Sequence, residues 1–427
     1  MFSQAMSALG RLWALRNEQP AFVSLAVLVM GAIAVYPLVD VVLRSAEIST
    51  AFRYYDFGAY RIAIADWQAG DPIYEPNEEG GFHGNYLYPP IALPVFAAFL
   101  AAFENPGAAW GVFSVLALWV SLQIAIREFG LSVHPLERLL LLWLLVGFQP
   151  ILFGFKMGQV STFLAALLTL ALVGLIRDLK GHGRSAAIVS GVFTTLGSAV
   201  KLIYAPSGAH LLRSRRRFAG AMAALFALVG LSLLLFDPAT HRGYLDVLLW
   251  GKDWGTGSRS PHLWTPAYFR PLLAIEPVAL GVRALLVLST IWLAIGADGP
   301  EADLPTFALG IAIVPLAAPR AYTFDLTILL PAVVVLLALE LDRNVGRPEI
   351  PLLGLLFLHV HAYGLVTFGQ ISESILASNA LRPLLPVLQP GLWGAVLLVG
   401  LAFVRVAEHT AVPQHARRIT SFNSGGD

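Results

Sequence analysis

The 427-residue chain contains no cysteine. Disulfides, thiolate nucleophiles and cysteine-ligated metals are therefore excluded, and the redox compartment leaves no trace in the sequence. Charge is scarce too: Asp, Glu, Lys and Arg make up 13% of residues, against roughly 25% in a soluble domain. The 28 basic and 27 acidic residues leave a net charge of +1. That is too little to gather polyanions, so no nucleic-acid partner is expected. No GxxxxGK[ST] loop, HExxH helix or GxSxG elbow occurs, which removes the common ATP-driven, zinc-peptidase and serine-hydrolase chemistries. The ten His are scattered. His359 and His361 are two residues apart, a spacing that suits hydrogen bonding better than a metal, and no metal ligands are assigned.

Apolar residues are abundant, at 57% of the chain with a mean hydropathy of +0.71. A spanning helix needs about 20 mostly apolar residues. Such runs, some of them shorter, lie near 21–43, 89–103, 108–126, 139–153, 160–176, 186–202, 218–236, 278–295, 306–318, 326–341, 351–368 and 385–404. They predict one all-α polytopic membrane domain over residues 1–427 with about twelve transmembrane helices. The 38 Gly and 27 Pro fit that class, since membrane helices tolerate both.

Basic residues in short loops mark the cytoplasmic side. Arg213, Arg215, Arg216 and Arg217 form the clearest cluster. Counting helices from it puts the N-terminal segment 1–20 and the tail 408–427 in the cytoplasm. The loop with Asp298, Glu301 and Asp303 falls on the same side and is acidic, a mild conflict. Two long loops then face outwards, 44–88 and 237–277. The first is acidic; the second carries Lys252, Arg259, His262 and Arg270 among Trp254, Trp264 and Tyr268. Long polar loops on one face of a bundle are where a site is expected.

Within the first loop, Phe57, Tyr60, Ile64 and Trp67 are spaced as an apolar helical stripe. Residues 57–68 are too few to span, which suggests a helix lying in the membrane interface, or a short helix packed on the bundle. Gly70-Asp71-Pro72 ends it. Asp56 stands at its start. A carboxylate there caps the helix, or acts as a general base on a hydroxyl at the membrane surface.

Several segments carry a resemblance to a known family. They are Asp56-Phe57-Gly58-Ala59-Tyr60 running to Gly70-Asp71-Pro72-Ile73-Tyr74, then Tyr88-Pro89-Pro90, Gly158-Gln159-Val160, and Lys201 before the basic loop. In this order the chain resembles the polyprenol-phosphate-dependent glycosyltransferases of the GT-C superfamily, in particular glycosyltransferase family 87, which includes mannosyltransferases. The resemblance implies a GT-C fold at the cell membrane with its site facing the periplasm or exterior. It implies transfer of a hexose, mannose favoured, from a polyprenyl-phosphate sugar to a lipid or glycan acceptor, with inversion and with Asp56 as the base. Many members carry Ser-Pro-x-x-Trp-x-His-His late in the chain. The corresponding run here, from Ala318 through Pro319 to Asp325, has no His, and Arg320 and Asp325 are the polar residues in its place.

The leaving phosphate requires cations. Arg259, Arg320 and Arg270 are the candidates, with His262 and Lys252 behind them. Gln159 and Lys201 are further substrate-binding candidates, although the helix count puts both on the cytoplasmic side. No cofactor is expected beyond the lipid-linked donor, and weak binding of a divalent metal by the acidic loop stays open. The alternative is a transporter or flippase of a lipid-linked sugar, which predicts paired broken helices and mid-membrane charges.

Overall fold

The computed structural model describes residues 7–47, 49–77, 81–252, 268–269, 276–318, 321–363 and 389–410, with Lys252 described by its backbone alone. The chain folds as helices: α1 (Ala8–Ala14), α2 (Pro20–Ser45), α3 (Tyr55–Ala69), α4 (Leu93–Ala102), α5 (Pro106–Glu128), α6 (Pro135–Gly147), α7 (Gln149–Met157), α8 (Ser161–Leu179) and α9 (Arg184–Ala199). After a 3-10 stretch, Leu202–Arg213, come α10 (Arg215–Leu235), α11 (Pro238–Lys252), α12 (Glu276–Gly296), α13 (Asp303–Ala312) and α14 (Val314–Ala317). A second 3-10 stretch, Thr323–Leu329, leads into α15 (Leu330–Leu341), followed by α16 (Glu349–His359) and α17 (Pro390–Ala407). Two-residue strands, Tyr268–Phe269 and Ala321–Tyr322, pair antiparallel.

Among the described residues six helices are long and apolar enough to cross a membrane: α2, α5, α8, α10, the Thr323–Leu341 stretch and α17. The α6–α7 pair adds a seventh if it is one span, bent by 65°. This multi-pass all-α architecture agrees with the sequence in class, but the count of about twelve is corrected. The physical reason lies in local breaks. Phe148 leaves helical geometry at ψ 114°, followed by Gln149-Pro150, so the run at 139–153 is two short helices at an angle. The runs at 89–103 and 351–368 yield helices of only 10 and 11 residues, α4 and α16, among the described residues. A hydropathy window registers apolar composition and does not see these breaks.

The core forms around α8 and α13. α8 packs against α5 and α9, and α13 against the Leu202–Arg213 stretch, α15 and α17. Large apolar side chains such as Leu38, Val42, Phe226 and Leu234 point outwards from α2 and α10, as expected of helices solvated by lipid. The predicted short helix in the first loop is α3, but its stripe is turned to protein. Phe57, Tyr60 and Ile64 are buried, and the Tyr60 ring stacks on Phe96 at 4.1 Å. It packs on the bundle with that face.

The basic cluster also looks different in three dimensions. Arg213 pairs with Asp303, and Arg217 bridges Asp178 (2.8 Å) and Asp303 (2.7 Å). Both arginines are shielded, while Arg215 and Arg216 are exposed. The acidic loop that conflicted with the charge rule supplies the counter-charge to its two buried arginines.

Candidate active site

Asp56 lies in the first turn of α3, one residue past the helix start. The N-cap position belongs to Tyr54, in left-handed geometry and with no side-chain cap bond. Asp56 therefore does not occupy the capping position that the sequence offered it. Its Oδ2 is buried and has no hydrogen-bond partner among the described residues. The Tyr60 hydroxyl, one helical turn on, is likewise buried and unpartnered.

Four segments converge here. α7 ends at Gly158, whose φ of +76° lies in the left-handed region that favours glycine. A Cβ at Gly158 would lie 3.0 Å from Phe57 Cβ, so the missing side chain lets the α7–α8 turn lie against α3. That turn presents Gln159, anchored by a hydrogen bond from Trp110 Nε1 to its carbonyl (3.1 Å). The segment after the first loop contributes Tyr88, whose hydroxyl donates to Gln159 Oε1 at 3.0 Å. Lys201, in extended geometry between α9 and the 3-10 stretch, reaches Asp325 Oδ1 at 2.7 Å, Ser161 Oγ at 2.9 Å and Gln159 Oε1 at 3.3 Å. Asp325 is held further by the Tyr204 hydroxyl at 2.6 Å, Ser161 Oγ at 2.8 Å and the Tyr322 amide at 2.9 Å. Phe324 lies under the Lys201 ammonium at 4.9 Å.

The electrostatics centre on Asp56. Burial pushes its carboxyl above the usual carboxylate range, and the Gln159 amide and then the Lys201 ammonium pull it part of the way back; the Asp325 carboxylate adds a small upward push. A carboxylate so placed keeps more proton affinity than a free aspartate, a property that general-base work near neutral pH calls for. Among the described residues no group of three or more His, Asp or Glu is arranged to hold a metal.

The site thus unites Asp56 with Gln159 and Lys201, which the helix count had placed at the other membrane face. The count fails at two points. The bent α6–α7 pair is the first. The second is the 12-residue 3-10 stretch Leu202–Arg213, which rises about 2 Å per residue and carries the chain from Lys201 back to the basic cluster. It runs beside α9, with Ser207 Oγ 2.9 Å from Ser198 Oγ. Arg259, His262, Arg270 and Arg320 lie outside the described residues, as does the side chain of Lys252. The strand pair nevertheless brings residues 268–269 of the second loop to 321–322, three residues before Asp325. α11 lies on the first loop, with Tyr244 5.8 Å from Tyr74 and Trp250 5.8 Å from Phe82.

A second cluster was missed from sequence. Lys156 reaches Asp40 Oδ1 (2.5 Å) and Ser49 (2.9 Å), while Arg44 takes Asp40 Oδ2 (3.0 Å). Asp40 and Lys156 lie 116 positions apart. A charge inside or beside an apolar run was the available signal for both. His359 and His361 accept hydrogen bonds from the amides of Gln149 and Gly391, each at 3.2 Å.

Comparison of the sequence with curated proteins finds no match. Among solved structures the chain resembles the crystal structure of ArnT from Cupriavidus metallidurans bound to undecaprenyl phosphate. The identity is 14% over 92% of this chain and 78% of that one, with a TM-score of 0.38, a level of likeness on which no conclusion rests. The family comparison is firmer. The profile of glycosyltransferase family 87 matches residues 86–319, more than half of the chain and a segment that includes Tyr88, Gln159, Ser161, Lys201 and Tyr204, so this protein belongs to glycosyltransferase family 87.

Proposed function

We propose that this membrane glycosyltransferase moves a hexose, mannose favoured, from a polyprenyl-phosphate sugar to a lipid or glycan acceptor, with Asp56 as general base. The acceptor hydroxyl oxygen attacks the anomeric carbon from the face opposite the phosphate. The new C–O bond forms as the bond from the anomeric carbon to the phosphate oxygen breaks. The hydroxyl proton passes to Asp56, and polyprenyl phosphate leaves with the bonding electrons. One attack on one carbon inverts its configuration.

The observation that carries this reading is the buried, unpartnered Oδ2 of Asp56. A buried polar atom without a partner is costly and is expected where a substrate group completes it. Arg259, Arg270 and Arg320, with His262 and Lys252, are the proposed clamp for the phosphate, since a guanidinium matches phosphate geometry. The pairing of 268–269 with 321–322 supports it, since the second loop meets the chain three residues before Asp325.

The proposed orientation is outward. α8 begins at Ser161 in the site and ends next to Asp178, which pairs with Arg217. Its 19 residues span about 28 Å, close to the thickness of a bilayer's hydrocarbon core. With Arg215 and Arg216 cytoplasmic, Asp56 faces the periplasm or exterior.

The test is transfer by purified protein given synthetic polyprenyl-phosphate mannose and the lipids of its host membrane. A mannosylated product with equal release of polyprenyl phosphate is expected. Movement of intact donor across proteoliposomes without cleavage would instead identify a flippase.

A further inference from the structure

We propose that Gln159, Lys201 and Asp325 form a positioning array for Asp56, in which Asp325 anchors Lys201, Lys201 fixes the Gln159 amide, and the amide N–H groups are thereby turned to the Asp56 carboxylate. The proposal rests on the reading of Asp56 as the base. It also removes Lys201 from the phosphate-binding candidates.

Hydrogen-bond inventory carries the first half. An ammonium has three N–H donors and no acceptor. Those of Lys201 are matched by Asp325 Oδ1, Ser161 Oγ and Gln159 Oε1, so none is left for a phosphate. Because Lys201 only donates, the Gln159 atom facing it must be the amide oxygen. The Tyr88 hydroxyl donates to the same oxygen. The Gln159 NH2 group therefore points away from both.

The second half follows from what lies on that other side. Gly158 lets the α7–α8 turn lie directly against the start of α3, where a side chain would stand 3.0 Å from Phe57 Cβ and 3.3 Å from the Phe57 amide, and Gln159 is the first of the neighbours that draw the Asp56 carboxyl back down. Asp325 has its own oxygens occupied by Lys201, Tyr204, Ser161 and the Tyr322 amide, so it is not a second base. Among the described residues, the charged and titratable groups that face Asp56 are Tyr60 from α3, Tyr88 from the segment before α4, Lys201 from the end of α9 and Asp325 from the 3-10 stretch before α15.

Opposite signs within the array give a test that a merely structural role does not pass. The base works deprotonated, so the acidic limb of the pH–rate profile follows Asp56. Lys201 favours the carboxylate; Lys201→Met moves the limb to higher pH, and Lys201→Arg, which keeps the charge, holds it near the wild-type position. Asp325 disfavours the carboxylate; Asp325→Asn leaves Lys201 unopposed and moves the limb to lower pH. Gln159→Leu moves it up. Where a variant turns over too slowly, labelling of Asp56 by a water-soluble carbodiimide across pH, read by peptide mass spectrometry, reports the same titration in the same directions. Shifts of one sign for Lys201→Met and Asp325→Asn, or no shift, overturn the array. A fully active Asp56→Asn enzyme instead overturns the base itself, so the two failures are distinguishable.

Discussion

Two buried lysine–carboxylate clusters flank the segment that leads into α3, and they are completed differently. Around Asp40, Lys156 and Ser49 take one carboxylate oxygen and Arg44 takes the other. The cluster is closed. Around Asp56, the lysine belongs to a different carboxylate, Asp325, and one Asp56 oxygen is left without a partner. The two are close along the chain, since Lys156 and Gln159 are three residues apart. The Lys156 carbonyl also accepts the amides of Arg53 (3.2 Å) and Tyr54 (2.8 Å). The closed cluster fixes where the 49–54 segment lies, and the open one uses that placement to present a carboxylate. Buried charge by itself therefore does not mark a reacting group, and neither does an unfilled acceptor alone, since Asp66 Oδ2 is also buried without a partner; Asp56 is set apart by having Gln159, Lys201 and Asp325 as neighbours.

The contrast is broken most severely by opening the closed cluster. Lys156→Met takes the buried cation from Asp40 and leaves Arg44 and Ser49 on its carboxylate; removing one partner of a buried pair costs up to about 3–5 kcal/mol. The expected outcome is a large fall in thermal and denaturant midpoints, with whatever stays folded still turning over. Replacing both partners, Asp40→Leu with Lys156→Met, should recover most of that loss, because an apolar pair of similar volume is often neutral. An unchanged midpoint for the single variant would mean that the cluster holds nothing in place.

A smaller effect is expected where the two clusters meet. Gly158→Ala forces an L-residue into left-handed backbone, at about 1–2 kcal/mol. Its new Cβ would also stand 3.0 Å from Phe57 Cβ. The variant should lose a modest amount of stability and proportionally more activity, since α3 is pushed from Gln159. Unfolding curves and turnover on one preparation check both parts.

How much of this could be read beforehand depended on whether the signal was local. Apolar composition is local, and the run at 21–43 became α2 while the stripe at 57–68 became α3, each within two residues at either end. Asp56 was visible because it opens that stripe in a polar loop. Helix parity is not local. It fails wherever a run bends, as at Phe148-Gln149-Pro150, or where a 3-10 stretch such as Leu202–Arg213 carries the chain back in 12 residues, too few to register as a separate span. One such error placed Gln159 and Lys201 at the face opposite Asp56, where the structure brings the three together. The Asp40–Lys156 pair joins helices far apart in sequence, and no periodicity links them. Asp325 stood out only as a polar residue where relatives of the resembled family carry histidine; its partnership with Lys201 needed the fold.

The most direct measurement is sugar transfer by Asp56→Asn, with thermal stability read in parallel and Asp71→Asn, an exposed carboxylate of the same loop, as control. Asn is nearly isosteric and puts no charge in a buried position. The account predicts a midpoint no lower than wild type, retained donor binding and a rate lower by about 10²-fold to 10⁴-fold, with Asp71→Asn at wild-type rate. An Asp56→Asn enzyme that transfers sugar at the wild-type rate would contradict the account.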